Sequence, residues 1–330
     1  MMILMMLSAS MAVLTACSAD DPFDTSNNNT FTPGGTNMGG NGSSTAGSGE
    51  LLSFSVDIDK ATVEPASTIT AYYPEAEDNI SQQTFATQIS IDMSNPVAKT
   101  ENGVEITVSE GHVTANHGST EGICYVVTGT TANGSLTIEG KTNFELNLNG
   151  VDITNPTSTA IDIESKKAAY IVLTGTNKLT DGTTEDHKGT LYGKGKLLFS
   201  GTGTLDVYGT YNNGIHTKSY AVFEKGINLY VNTTVNHGIK ASDAVVINGG
   251  IINIETSGEG AKGINCEKDI FINGGRTTVI CTGNGEWDTE DLETKAATCI
   301  KTDSILTIKG GEIFVKATGT GGKGLKADWE

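Results

Sequence analysis

Gly238-Ile239-Lys240, followed by Val245-Val246-Ile247-Asn248-Gly249-Gly250-Ile251-Ile252-Asn253-Ile254, is one unit of a pattern that recurs along this chain. A small residue and a branched apolar one open the unit. An alternating run, a Gly turn and a second alternating run follow. The opening recurs at Thr190-Leu191-Tyr192, Gly214-Ile215-His216, Gly263-Ile264-Asn265 and Gly324-Leu325-Lys326, and at Cys299-Ile300-Lys301 if Cys takes the small-residue place. The apolar anchors at 191, 215, 239, 264, 300 and 325 are 24, 24, 25, 36 and 25 residues apart. A period in the twenties, built from short strands and Gly/Asn turns, marks a β-solenoid. Each coil leaves apolar groups bare above and below until its neighbours cover them.

Composition agrees. Hydrophobic residues make up 37% of the 330, and Gly accounts for 41, which suits many turns around a thin core. No stretch carries a helical period, whereas Leu52-Ser53-Phe54-Ser55-Val56-Asp57-Ile58 and Val104-Glu105-Ile106-Thr107-Val108 alternate like strands. The class is all-β, with coils of about 24–25 residues. The net charge of −18 repels nucleic-acid phosphates and anionic lipid head groups, so neither is an expected partner. The same charge also serves simple solubility.

The N-terminal 16 residues are apolar or small and end in Leu14-Thr15-Ala16-Cys17, which resembles the lipobox of bacterial lipoproteins. They are too few to span a bilayer, yet of signal-peptide length. That resemblance implies that residues 1–16 are removed and that Cys17 is lipidated; no Lys or Arg precedes the apolar run, a departure from the usual signal. Acidic Asp20-Asp21 resemble surface-export signals, so the expected place is the outer membrane, facing outward and held by the lipid alone. Residues 17–50, rich in Gly, Ser and Asn, read as a flexible tether with a span of roughly 30 Å. Residues 51–100 read as a β-rich cap or a small separate β-domain, and 101–330 as the solenoid. The chain stops at Trp329-Glu330, just after a new anchor and with no polar cap, so the expectation is either that the sequence is a fragment or that its terminus is disordered. Cys124, Cys266, Cys281 and Cys299 match no zinc spacing and read as small core residues, while an exporting compartment leaves a bridge open.

If the anchors point inward, the residue after each points outward. That column reads Tyr192, His216, Lys240, Asn265, Lys301 and Lys326, and a second one, before the small residue, reads Asn213, His237, Lys262, Thr298 and Lys323. Together they form a polar and basic stripe along the solenoid axis, suited to a linear polymer. Outward strand positions are also simply polar, and Lys there deters aggregation. The one long step, 36 residues, carries an acidic insertion running from Thr282 to Glu293. Glu286, Asp288, Glu290 and Asp291 are its candidate calcium ligands, since Ca²⁺ takes six to eight oxygens. The spacing is not that of an EF-hand, and a solvated acidic loop is the plainer reading. Trp287 in the same loop offers an indole face for a sugar ring. No hydrolase, zinc-protease or phosphate-loop motif is present. β-Elimination on an acidic sugar would need a Lys base such as Lys240, Lys262 or Lys301 with a lowered pKa, and an acidic surface is expected to raise it.

The ordered set Asn147-Leu148-Asn149-Gly150-Val151-Asp152-Ile153, Gly201-Thr202-Gly203-Thr204-Leu205-Asp206-Val207, Tyr211-Asn212-Asn213-Gly214-Ile215, Asn236-His237-Gly238-Ile239-Lys240, Ile247-Asn248-Gly249-Gly250 and Ile272-Asn273-Gly274-Gly275 resembles bacterial carbohydrate-binding domain proteins. The resemblance covers roughly residues 100 to 330. It implies a right-handed parallel β-helix similar to pectate lyases, binding of cellulose or pectin-like acidic chains, and calcium. Relatives carry Ser-Lys-Asp-Asp after the anchor and paired Asp before it. Here those places read Gly193-Lys194-Gly195-Lys196, Thr217-Lys218-Ser219-Tyr220 and Asn212-Asn213, so carboxylates of the family metal sites are missing there. The expectation is a monomeric surface lipoprotein that binds polysaccharide without catalysis, with Tyr192, His216, Lys240, Lys301, Lys326 and Trp287 as contacts. The alternatives are a calcium-dependent polysaccharide lyase and an adhesive surface protein.

Overall fold

The computed structural model describes residues 71–290 and 292–328. Short parallel strands stack coil upon coil into a β-solenoid with three strand-bearing faces. The first face carries the anchors. Its strands include Ile161–Ile163, Gly189–Gly193, Asn213–Thr217, Ile239–Ala241, Lys262–Cys266, Thr298–Thr302 and Lys323–Ala327. Leu191, Ile215, Ile239, Ile264, Ile300 and Leu325 are paired in unbroken parallel register. From Leu191 to Ile300 these anchors are buried. Burying one such side chain is worth about 1.5–3 kcal/mol, and stacking is the only way a coil this thin can achieve it.

The other two faces belong to one sheet, joined where the long strand Phe144–Thr154 bends and serves both. Residues 144–149 pair with Ala169–Thr174 in the second face, while 152–154 pair within Thr176–Thr180 in the third. Inside the second face like stacks on like, as where the Phe199 and Phe223 rings lie 4.9 Å apart and nearly parallel. The Ile-Asn-Gly-Gly turns lie between the second and third faces. Gly250 and Gly275 take φ of +82° and +79° there, which a side chain would strain. Asn273 donates to Asn248 at 2.8 Å, continuing the stack through the turn.

At the start of the first face, Lys99–Glu101, Val104–Ser109 and His112–Asn116 form an antiparallel meander, and the last of these pairs in parallel with Ser135–Glu139. The meander covers a strand edge that would otherwise be open to pairing. Thr87–Asp92 begins the second face against Ile123–Thr131. Residues 71–85 run across the outside of that face. Tyr72, Tyr73, Ile80 and Phe85 pack on Tyr170, Leu198, Tyr220, Val222, Val246 and Phe271. Buried Asp78 accepts hydrogen bonds from the Tyr220 and Tyr170 hydroxyls, and its other partner is Lys196 Nζ at 2.6 Å. The described part of 51–100 is therefore a strap and a first strand on the solenoid. Cys17 and residues 51–70 lie outside the described residues.

Candidate functional site

The outward column of the first face is a true ladder. Thr137, Asp162, Tyr192, His216, Lys240, Asn265, Lys301 and Lys326 are register partners in succession. With coils about 4.8 Å apart, its side chains are near neighbours along the axis. Its members differ in what surrounds them.

Tyr192 and His216 are covered, at 6% and 8% exposure. Their rings meet edge to face at 5.3 Å, and His216 Nδ1 lies 3.3 Å from the Lys188 carbonyl. The segment leading to Lys188 is pinned by a buried pair, His187 Nε2 to Asp181 Oδ2 at 2.9 Å, and by Tyr211 stacked on the His187 ring at 4.7 Å. Burial pushes His216 down to about 4, helped by the Lys240 charge, so it is neutral at pH 7 and adds no charge to the stripe.

The lysines of the ladder have carboxylates of their own. Lys240 lies 3.7 Å from Glu267, Lys326 2.9 Å from Asp328, and Lys301 pairs with Asp303. Much of the basic stripe seen in sequence is thus neutralised within the coil. Lys262, in the neighbouring column, is different. Its Nζ donates to the Gly260 carbonyl at 2.5 Å, and among the described residues no carboxylate forms an ion pair with it.

Lys262 lines a cleft of about 660 Å³ together with Asn236, His237, Glu259, Glu286 and Lys295. Burial pushes its ammonium down to about 8, with further push from Lys301 and Lys295. The expectation that an acidic surface raises the lysine pKa fails here. Local burial and two neighbouring cations outweigh a net charge spread over the whole molecule. His237 is pushed well below its ordinary value by burial and by Lys262. Its Nδ1 accepts the Lys262 backbone N–H at 3.1 Å, so the neutral ring carries its proton on Nε2 as a donor.

A second cleft, of about 340 Å³, lies on the first face near its start. Ser135, Thr137, Thr157, Thr159 and Asp162 line it, a set rich in hydroxyls. Burial, with Glu164 beside it, pushes the Asp162 carboxyl up to about 6. Its Oδ1 is buried without a hydrogen-bond partner. Three coils separate Asp162 from Lys240 in the ladder, roughly 14 Å at 4.8 Å per coil.

The acidic insertion is a small antiparallel hairpin, Glu286–Asp288 against Glu293–Lys295. Trp287 is 56% exposed on it, and Glu286 turns into the larger cleft. Asp288 is ion-paired with Lys295 and also accepts the Glu290 N–H at 2.7 Å. Among the described residues no three His, Cys, Asp or Glu side chains gather to hold a metal. Of the candidate calcium ligands, Glu286 faces the cleft and Asp288 is held by a lysine ammonium. Asp291 lies outside the described residues.

Residues 102–263 match the family model of carbohydrate-binding domain-containing proteins. The match takes in both clefts' main residues, Asp162, His237 and Lys262, and ends before the hairpin. Among solved structures, the chain is similar to the polysaccharide lyase-like protein from C. thermocellum, solved as a gadolinium derivative. The TM-score is 0.50 at 23% identity, over 73% of this chain and 96% of that one. At that identity the likeness is one of fold. No curated protein matches the sequence. Sequence reasoning found the ladder and Lys262, but missed Asp162 as a ladder member because Ile161 lies 30 residues before Leu191, off the 24–25 period. The Ile161–Ile163 alternation was the available signal.

Proposed function

We propose that this protein binds polysaccharide along its first face, from the hydroxyl-rich cleft at Asp162 to the basic cleft at Lys262. The family match supports a carbohydrate ligand. The observation that carries the choice of face is the ladder joining two polar clefts along the coil axis, the direction a linear polymer would take. Lys262, which forms no ion pair with a carboxylate among the described residues, is matched to the carboxylate of an acidic sugar. Lys295 and the His237 Nε2–H add donors beside it, and Trp287 stands on the adjoining hairpin. We assign the protein to the outer surface of a bacterial outer membrane through lipidated Cys17. Calcium, if it takes part, would have to bridge ligand and protein.

Lys262 also favours a second reading, a lyase. A lysine with a pKa near 8 is partly unprotonated at neutral pH. As a base it would take the C5 proton of a uronate, the C4–O bond would break with the electron pair leaving on oxygen, and a C4–C5 double bond would remain. The two readings separate in one assay. The chain is incubated with cellulose, polygalacturonate and xylan, with calcium or with chelator, and retention is scored alongside ultraviolet absorbance of the supernatant. Retention with flat absorbance is the result expected of a binding module. Rising absorbance that climbs with pH toward 8 would replace it with the lyase, and no retention together with flat absorbance on every glycan would reject both.

A further inference from the structure

The corner between the third and first faces repeats a two-position motif. The last inward residue of a third-face strand meets the small residue that opens the next first-face strand. Down the stack the pairs are Gly209 with Gly214, Thr233 with Gly238, Thr256 with Gly263, and Cys281 with Cys299. Gly209, Thr233, Thr256 and Cys281 are successive register partners, and so are the anchors that follow the second member of each pair. A Cβ on Gly209 would stand 3.4 Å from Gly214 Cα, so the two positions face each other closely across the corner. A disulfide asks for paired Cβ atoms about 3.5–4.5 Å apart. Among these four corners only one holds cysteine at both positions.

That corner is also the one with the long connection. Four residues join Gly209 to Gly214 and six join Thr256 to Gly263, whereas seventeen join Cys281 to Cys299. A short link holds the two strands in place by itself, and a seventeen-residue excursion does so far less firmly. Both cysteines are wholly buried and free in the structure, and each thiol lies close enough to shift the other's pKa. Thr256 Oγ1 donates to Cys281 Sγ at 3.1 Å. Cys124 and Cys266 have different surroundings: Cys124 donates to Glu145 at 3.1 Å, and Cys266 faces the Asp269 carbonyl at 3.5 Å.

We propose that Cys281 and Cys299 form a disulfide that closes the base of the Trp287 hairpin and replaces the short connection of the other corners. The bond forms by two exchanges with a disulfide donor. A Cys281 thiolate attacks the donor's S–S bond, expelling one donor thiolate and leaving a mixed disulfide. The Cys299 thiolate then attacks Cys281 Sγ and expels the second. The two cysteines lose two protons and two electrons, and the donor is reduced to two thiols. Hydrogen bonds from Cys299 and Thr256 lower the Cys281 thiol toward 7, which suits it to attack first. Because both sulfurs are buried, exchange takes place as the coil closes during folding. In the cell it needs an oxidising compartment, the one implied by the lipobox-like N-terminus.

The test is to refold the reduced full chain with oxidised glutathione, alkylate free thiols in denaturant, and map peptides without reductant. The expected result is a linked Cys281–Cys299 peptide, with Cys124 and Cys266 alkylated. Alkylation of Cys281 and Cys299 to the same extent as Cys124, or linkage of either to another cysteine, overturns the proposal. A second measurement uses Cys281→Thr with Cys299→Gly, which restores the corner of the preceding coil. Tryptic cleavage at Lys295 should be several-fold faster in this variant than in the oxidised protein. Equal rates would show that the bond does not hold the hairpin.

Discussion

The first and second faces share one coil spacing and one parallel register, yet their outer sides have opposite characters. Outside the second face stand Tyr170, Leu198, Tyr220, Val222 and Val246, and residues 71–85 lie over them. Outside the first face stand Asp162, Lys240, Asn265 and Lys301, with clefts at Asp162 and beside Lys262. The same scaffold therefore gives an occupied apolar side and an open polar one. The open side is the one proposed to bind, and the strap makes the other side solvent-compatible.

The comparison breaks most readily at Asp78. It has Tyr220, Tyr170 and Lys196 as partners under the strap. Asp78→Ala strands those groups and should cost about 3–5 kcal/mol, read by urea unfolding. A loss below about 1 kcal/mol would mean that the strap is a passive cover. In contrast, ligand retention by the surviving folded fraction should not change.

The first face should reveal itself through pH. Asp162 has its pKa raised from 3.8 to about 6. Between these values the folded state holds the extra proton, so its contribution to stability falls as pH rises. His216 is lowered from 6.5 to about 4. There the unfolded state holds the extra proton, so its contribution grows as pH rises through the same window. Each is worth on the order of 2–3 kcal/mol, and in the wild type they largely oppose each other. Asp162→Asn should therefore make stability climb more steeply between about pH 4 and 6. An unaltered slope would show that Asp162 does not titrate in this window.

Tyr220→Phe is a smaller probe of the second face. It removes one donor to Asp78 while keeping the ring, and should cost about 1–2 kcal/mol in the same urea assay. A neutral outcome would place the strap's hold in its apolar contacts alone.

The two faces were unequally legible. Ile215, Ile239 and Ile264 announce the first face because one buried column alternates with one polar column, which is a period of two. The second face reads Leu197-Leu198-Phe199, Ala221-Val222-Phe223 and Val245-Val246-Ile247. Such continuous apolar runs go with cover on both sides, a signal that is missed when Val245-Val246-Ile247 is read as part of an alternating run. Residues 71–85 have no period to betray them. Lys262 was visible as a residue, but its lowered pKa arises from burial within the stacked coils, with Lys301 and Lys295 brought near it. The extra length between Cys281 and Cys299 was plain from the anchor spacing, whereas the ion pair of Asp288 with Lys295 runs diagonally across a hairpin whose register sets Lys295 opposite Glu286.

The most direct test of the open-face account compares wild type with Lys262→Ala on immobilised polygalacturonate, with folding of both checked by urea unfolding. The account predicts that wild type is retained with flat supernatant absorbance, and that the variant keeps its stability within about 1 kcal/mol but loses at least tenfold in retention. Equal retention of the two proteins would contradict it.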